Sequence, residues 1–196
     1  FTMAEMKIDR SIDKFYFLEG DEKAKIGNAA VVDDSIQGDF FNNKTPDFKL
    51  EKPLEFIINE GRFSGIIGDC QFNNCGFNLF SERLRAIIEK FLTPIDTPAW
   101  FPATVTDLQG TVHPYSILHL FNRPDMLDRI NSTFVPGTNH PIKRRYDLDK
   151  IGDRLIFART ELRSSLCVHD VVRKEIKKSD CIGIYLYKIH TPGRLH

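Results

Sequence analysis

Residues Asn78 to Phe91 read NLFSERLRAIIEKF, and this stretch decides the fold class. Ser81 stands where an N-cap belongs and Glu82 follows in the first turn. Leu84, Ile87, Ile88 and Phe91 then recur at the three- and four-residue spacing of one helical face. Pro94 closes the helix. A helix with one apolar stripe must bury it against another layer, and the sequence on either side has strand composition.

Upstream, KFYFL at Lys14–Leu18, Ala29 to Val32 with Phe40 and Phe41, and Leu54 to Ile58 read as short extended pieces separated by polar turns such as NNKTPDF. Gly61 to Gly76 is rich in Gly and Asn and holds at most a short apolar turn around Ile66 and Ile67. Downstream, WFPATVTDL and VHPYSILHLF read as a hairpin turning at Gln109-Gly110, with Pro102 and Pro114 expected near edges or strand starts. Asn122 to Asp125 reads as a turn, FVPGTNHP as a loop, and RRYDLDKI and LIFAR as short extended segments. A second helix is expected from Thr160 or Ser164 to Lys177, with Arg173, Lys174, Lys177 and Lys178 complementing its dipole, followed by a strand in CIGIYLYKI.

This order lacks strict βαβ alternation. It gives an α+β fold, a mixed and mostly antiparallel sheet with two main amphipathic helices, in a single domain over residues 3–191. Phe1 and Thr2 read as an expression remnant, and 192–196 as a frayed tail. A faint internal echo links LFSERLRAIIEKF with IFARTELRSSLCVHDVV, each running from an apolar strand-like end into a helix.

Composition narrows the function. The 27 basic and 27 acidic side chains cancel, so the chain has no bulk positive charge for phosphate backbones, and no nucleic-acid partner is expected. Phe accounts for 16 aromatic residues against five Tyr and one Trp, a composition for packing before base reading. No apolar stretch approaches a bilayer span and no signal peptide is evident, so a soluble, cytoplasmic protein with reduced cysteines is expected.

No catalytic or metal constellation emerges. Cys167, His169 and Asp170 carry the residue types of a thiol catalyst, but on the expected helix residues two apart diverge. His113 and His119 share a strand face yet lie ~20 Å apart at ~3.3 Å per residue, too far to hold one ion. Asp33, Asp34 and Asp39 lack the ligand alternation of a calcium loop, and Glu19, Asp21 and Glu22 lack an apolar pocket. Asp147, Asp149 and Asp153 offset the basic run Lys143–Arg145. No cofactor is expected.

With those residues in view, NLFSERLRAIIEKF resembles the central motif of a bacterial immunity-protein family found beside polymorphic toxins, the immunity family numbered eleven. DRLIFARTELRSSL followed by CIGIYLY resembles that family's C-terminal unit, although Thr160-Glu161 stands where the family more often has Ser before the acid. The resemblance implies a cytoplasmic, non-enzymatic protein that occludes a cognate toxin used in bacterial competition, for instance through type VI secretion, and encoded by an adjacent gene. Trp100, Phe101, Tyr115 and Arg123 are its candidate toxin contacts, with core packing the competing role of the first three. The alternatives are a small Cys/His-dependent hydrolase or transferase and a secretion accessory or chaperone.

Overall fold

In the computed structural model the described residues are 8–9, 11–21, 26–38, 40–59, 66–123, 125–158 and 166–189. Their elements follow in chain order. β1 (Phe15–Gly20), β2 (Ala29–Val31), β3 (Leu54–Ile58), β4 (Cys70–Gln71) and β5 (Asn78–Ser81) lead into α1 (Glu82–Glu89). β6 (Pro98–Thr106), β7 (Val112–Leu120), β8 (Thr133–Phe134) and β9 (Pro141–Lys143) precede the short α2 (Leu148–Ile151). β10 (Ile156–Ala158), β11 (Leu166–His169), α3 (Asp170–Lys178) and β12 (Ile184–Lys188) complete the fold.

The strands form a six-stranded sheet ordered β2-β3-β6-β7-β5-β4, a four-stranded sheet ordered β10-β11-β1-β12, and a ribbon of β8 and β9. Every strand pairing is antiparallel except that of β3 with β6. The α+β class therefore holds, with β3 and β6 the one parallel pair of these strands and isolated parallel bridges at Ile26–Ile66 and Ala29–Asn73.

Period-two alternation explains how the sheets meet. Tyr16 and Leu18 of β1, Leu166 and Val168 of β11, and Phe80, Leu118 and Leu120 of the six-stranded sheet all turn into one central core. Leu84, Ile87 and Ile88 of α1 and Val172 and Ile176 of α3 fill that core from the helices. The opposite faces build two further cores. Leu79, Phe101, Val105 and Ile117 pack beneath Phe41, while Phe15, Phe17, Phe157 and Cys167 pack with Met126 and Ile151.

Both helices start the same way. β5 runs directly into α1 through Ser81, whose Oγ accepts from the Leu84 N–H at 3.3 Å. β11 runs into α3 through His169, whose Nδ1 accepts from the Val171 N–H at 3.2 Å. Glu82 and Asp170 follow as first-turn acids. The internal echo is thus a strand, cap, acid and helix sequence, aligned on LCVHDVV rather than on IFARTELRSS.

Several boundaries differ from the sequence reading. The second helix begins at Asp170, because Leu166–His169 form a strand buried on both faces between β10 and β1; such an apolar run shows no alternation to distinguish it from a helix. Thr160 and Ser164 lie outside the described residues. FVPGTNHP carries parts of the β8–β9 ribbon, turning through Gly137 at φ 74°. RRYDLDKI includes α2, capped by Asp147, whose side chain accepts from the Asp149 and Lys150 N–H groups.

Pro102 and Pro114 stand in the two central strands, not at edges or strand starts. Pro102 faces Ser116 and Pro114 faces Thr104, so the donor-less nitrogens turn away from the hairpin. On those outer sides the β3 ladder starts one residue later, at Ala103, and the β5 ladder stops one residue earlier, at Tyr115. Neither proline removes a bond.

Two buried carboxylates tie distant segments together. Asp69, only 6% exposed, accepts from Ser81 Oγ at 2.6 Å, from Arg83 Nε at 3.1 Å and from the Ile182 N–H at 2.8 Å. Its own N–H donates to the Ile182 carbonyl and its carbonyl accepts from the Ser81 N–H, both at 2.8 Å. One residue thereby joins the cap of α1 to the approach to β12. Gly183 permits this close approach: its φ is +77°, and a Cβ there would lie 2.9 Å from Gly68 Cα. Asp96, in the turn after α1, accepts from buried Arg154 at 2.6 Å and from Thr93 Oγ1 at 2.8 Å. Arg154 also donates to the Lys150 and Ile151 carbonyls at 3.0 and 3.2 Å.

Burial pushes the Asp69 carboxyl upward, but hydrogen bonds from Arg83, Ser81 and the Ile182 N–H outweigh it and hold the group below its ordinary 3.8. Its stabilising effect is complete above pH 3.8 and is lost as pH falls through the lower folded-state value. Asp69→Ala is expected to destabilise by about 2–4 kcal/mol, since each buried donor left unmet costs about 1–3 kcal/mol. Ser81→Ala is expected to cost about 1–2 kcal/mol. Urea unfolding of both variants checks the ranking, and Asp69→Asn should flatten the acid limb of stability. Arg154→Ala, which strands the Asp96 carboxylate, is expected to cost about 3–5 kcal/mol in the same assay.

Candidate functional site

The sequence-nominated contacts separate into core and surface. Phe101, 4% exposed, stacks on Phe41 with ring centroids 4.3 Å apart. Tyr115, 6% exposed, donates its hydroxyl to the Gly68 carbonyl at 2.5 Å. Both are core side chains that offer no area to a partner, a correction that follows from strand alternation turning them under the Phe41 segment. Trp100 and Arg123 are half-buried and lie on opposite faces of the six-stranded sheet. Trp100 packs edge-on to Phe80 with the Arg85 guanidinium 5.0 Å over its ring, whereas Arg123 donates to Asn42 Oδ1 at 2.7 Å.

The Cys167, His169 and Asp170 set lies on a strand and at a helix start. Cys167 and His169 consequently point to the same side of the sheet, contrary to the helical reading, but that side is a closed core. His169 Nδ1 caps α3 and its Nε2 bonds the Asp9 carbonyl at 2.7 Å, so the ring carries its proton on Nε2. Asp170 is taken up by Arg173 at 2.6 Å and Lys174 at 2.9 Å. Cys70 is buried in the central core, where burial, with Glu19 and Asp69 nearby, pushes its thiol far upward. All four cysteines are free thiols.

His113 and His119 sit near opposite ends of β7. His113 Nε2 pairs with Asp107 at 2.9 Å beside the hairpin turn. His119 lies against the rings of Phe41 and Phe121, with centroids 5.5 and 4.7 Å away. It borders a pocket of about 300 Å³, solvent mouth included, shared with Asn42, Phe77, Asn78 and Arg123. Asp33 accepts from the Ser35 hydroxyl and N–H at 2.7 and 3.0 Å, an exposed turn; Asp39, Glu22, His190 and His196 lie outside the described residues. Among the described residues no group of three His, Cys, Asp or Glu could hold a metal ion, and no helix is long and apolar enough to cross a membrane.

The most distinctive surface is the half of the six-stranded sheet that α1 leaves open. On the face that carries Trp100 and Leu118 into the central core, the register continues through Pro102, Thr104 and Thr106 of β6. Ala30, Ile57, Thr106 and Val112 form one row across four strands, and Glu55, Thr104 and Pro114 form the next. Val32 stands beside Glu55, donating its N–H to the Glu55 carbonyl at 2.9 Å. Val32, Ile57 and Val112 are 52, 44 and 59% exposed. At ~4.8 Å between strands the patch is roughly 15 Å wide, and Glu55 is its sole charge in these rows.

Arg85 borders this patch, donating to Ser116 Oγ at 3.0 Å while lying over Trp100. An aromatic and an arginine at the margin of an apolar surface is the composition that interface anchors favour. Comparison with protein-family models finds no match, and comparison with curated proteins finds none either. Among the candidate contacts, the sequence singled out Trp100 as a large aromatic. It missed Val32, Ile57 and Val112; of these, Ile57 alternates with buried neighbours, Phe56 and Ile58, and that pattern was the available signal.

His119 generates a pH prediction. Burial, reinforced by Arg123, lowers it from 6.5 to about 4, so the folded protein disfavours its protonation. The associated stability is complete above pH 6.5 and declines as pH falls towards about 4. His119→Gln should flatten stability across that window in thermal melts, and NMR titration of the wild-type ring should find a midpoint well below 6.5.

Proposed function

We propose that the chain is an immunity protein that binds a cognate secreted toxin in the producing cell and neutralises it by occlusion. The observation that carries the reading is the open half-face of Val32, Ile57, Thr104, Thr106, Val112 and Pro114, bordered by Trp100 and Arg85. A sheet surface that no other described element covers, nearly uncharged, is costly to leave wet and suits a protein partner of similar character. The resemblance of NLFSERLRAIIEKF to an immunity family supplies the partner's class. Burial of Cys70 and Cys167 in separate cores, neither lining the His119 pocket, favours binding over Cys/His catalysis.

The test pairs co-purification with a growth assay, using the neighbouring gene's product alone and together with this chain. A stoichiometric complex and rescue of growth are expected. Ile57→Glu, at an exposed position, should weaken the complex at least about tenfold, the equivalent of ~1.4 kcal/mol, while leaving the melting temperature nearly unchanged. No complex and no rescue would overturn the reading.

A further inference from the structure

The four-stranded sheet ends on β12, residues IYLYK, whose outer side is paired with no strand among the described residues. Ile189 N donates to the Phe15 carbonyl at 3.2 Å and Asp21 N to the Gly183 carbonyl at 3.0 Å. Antiparallel neighbours exchange bonds at alternate residues, so Gly183, Tyr185, Tyr187 and Ile189 face β1. Ile184, Leu186 and Lys188 therefore turn their N–H and C=O groups outward. Asp69 covers this edge just before the strand, its N–H on the Ile182 carbonyl and its carboxylate on the Ile182 N–H; from Ile184 onward the strand has no proline or bulge, and its single charge, Lys188, stands at its end.

We propose that β12 pairs antiparallel with β12 of a second copy, about a two-fold axis at Leu186, joining two four-stranded sheets into one. The strand is self-complementary in this register. Leu186 faces Leu186, Tyr185 faces the Tyr187 of the second copy, and Ile184 faces its Lys188. The outward backbone groups of Ile184, Leu186 and Lys188 meet in phase.

Existing cross-strand rows simply continue. The Phe17–Tyr187 pair, with centroids 5.0 Å apart, extends to Tyr185 of the second copy, and Leu18 and Leu186 extend to their own counterparts. Tyr185 and Tyr187 are already 5.1 Å apart within the chain, and Tyr185 is substantially exposed. The two Lys188 side chains fall at opposite ends of the ribbon. Registers centred nearer Lys188 bring them together, and an axis at Ile184 would set Leu186 of the second copy against Ile182, whose outward groups Asp69 already takes, so the Leu186 axis is favoured. This self-pairing is independent of the toxin reading.

The experiment measures sedimentation and residue-resolved amide exchange of the purified chain, without any partner, over a wide concentration range. A dimer is expected in which Ile184, Leu186 and Lys188 amides exchange slowly at high concentration and quickly on dilution, while Tyr185 and Tyr187 stay protected throughout. Leu186→Pro removes an outward N–H together with a side chain packed against the central core, and Tyr185→Lys adds charge to the exposed edge; each should yield a monomer. If Leu186→Pro fails to fold, Tyr185→Lys decides. A chain that is monomeric at every concentration, or a dimer that survives Tyr185→Lys, would overturn the proposal.

Discussion

The buried carboxylate of Asp69 is the constraint on which the arrangement of layers depends. Its oxygens receive the α1 cap hydroxyl, the Arg83 guanidinium and the Ile182 N–H, so helix α1 and the approach to β12 cannot shift independently. A charged group this deep is stable only because its acceptor capacity is met. Hydrogen bonding here specifies geometry, and the bulk of the stabilisation comes from the central core. Leu84, Ile88, Val168 and Val172 are fully enclosed there, and burying each such side chain contributes about 1.5–3 kcal/mol.

Fixing α1 in this position also decides what is left uncovered. The helix lies against β5 and β7 and meets α3, while β2, β3 and the far half of β6 receive no helix among the described residues. One continuous sheet face is therefore core at the Trp100 end and surface at the Val112 end. The functional reading follows from that division, since the open rows are built from β-branched residues and proline with little charge. On the proposed reading the closed half would hold that surface in place, and a preorganised surface lowers the entropic cost of binding.

Much of this was legible from particular residues and some was not. Ser81, Glu82 and the Leu84–Phe91 stripe announced α1 because capping and periodicity are local. The β6–β7 hairpin was visible in its turn, and Leu54–Ile58 in its composition. β11 was misread because Leu166, Cys167 and Val168 are apolar on both faces, and only the neighbouring strands β10 and β1 distinguish that pattern from a helix. Asp69 looked like part of a glycine-rich turn; its partner Ile182 lies 113 residues away, beyond any local signal. Of the proposed contacts, Phe101 and Tyr115 proved to be core, and the open face escaped notice because coverage of a sheet is decided by tertiary packing.

The central claim is that a protein partner docks on the open half of the six-stranded sheet. Methyl NMR of this chain, free and bound to its co-purified partner, tests it most directly. The account predicts that Val32, Ile57 and Val112 methyl resonances shift or broaden on binding, while Val135 and Ile142 of the β8–β9 ribbon stay in place. Perturbation confined to the ribbon, with Val32, Ile57 and Val112 unchanged, would contradict it.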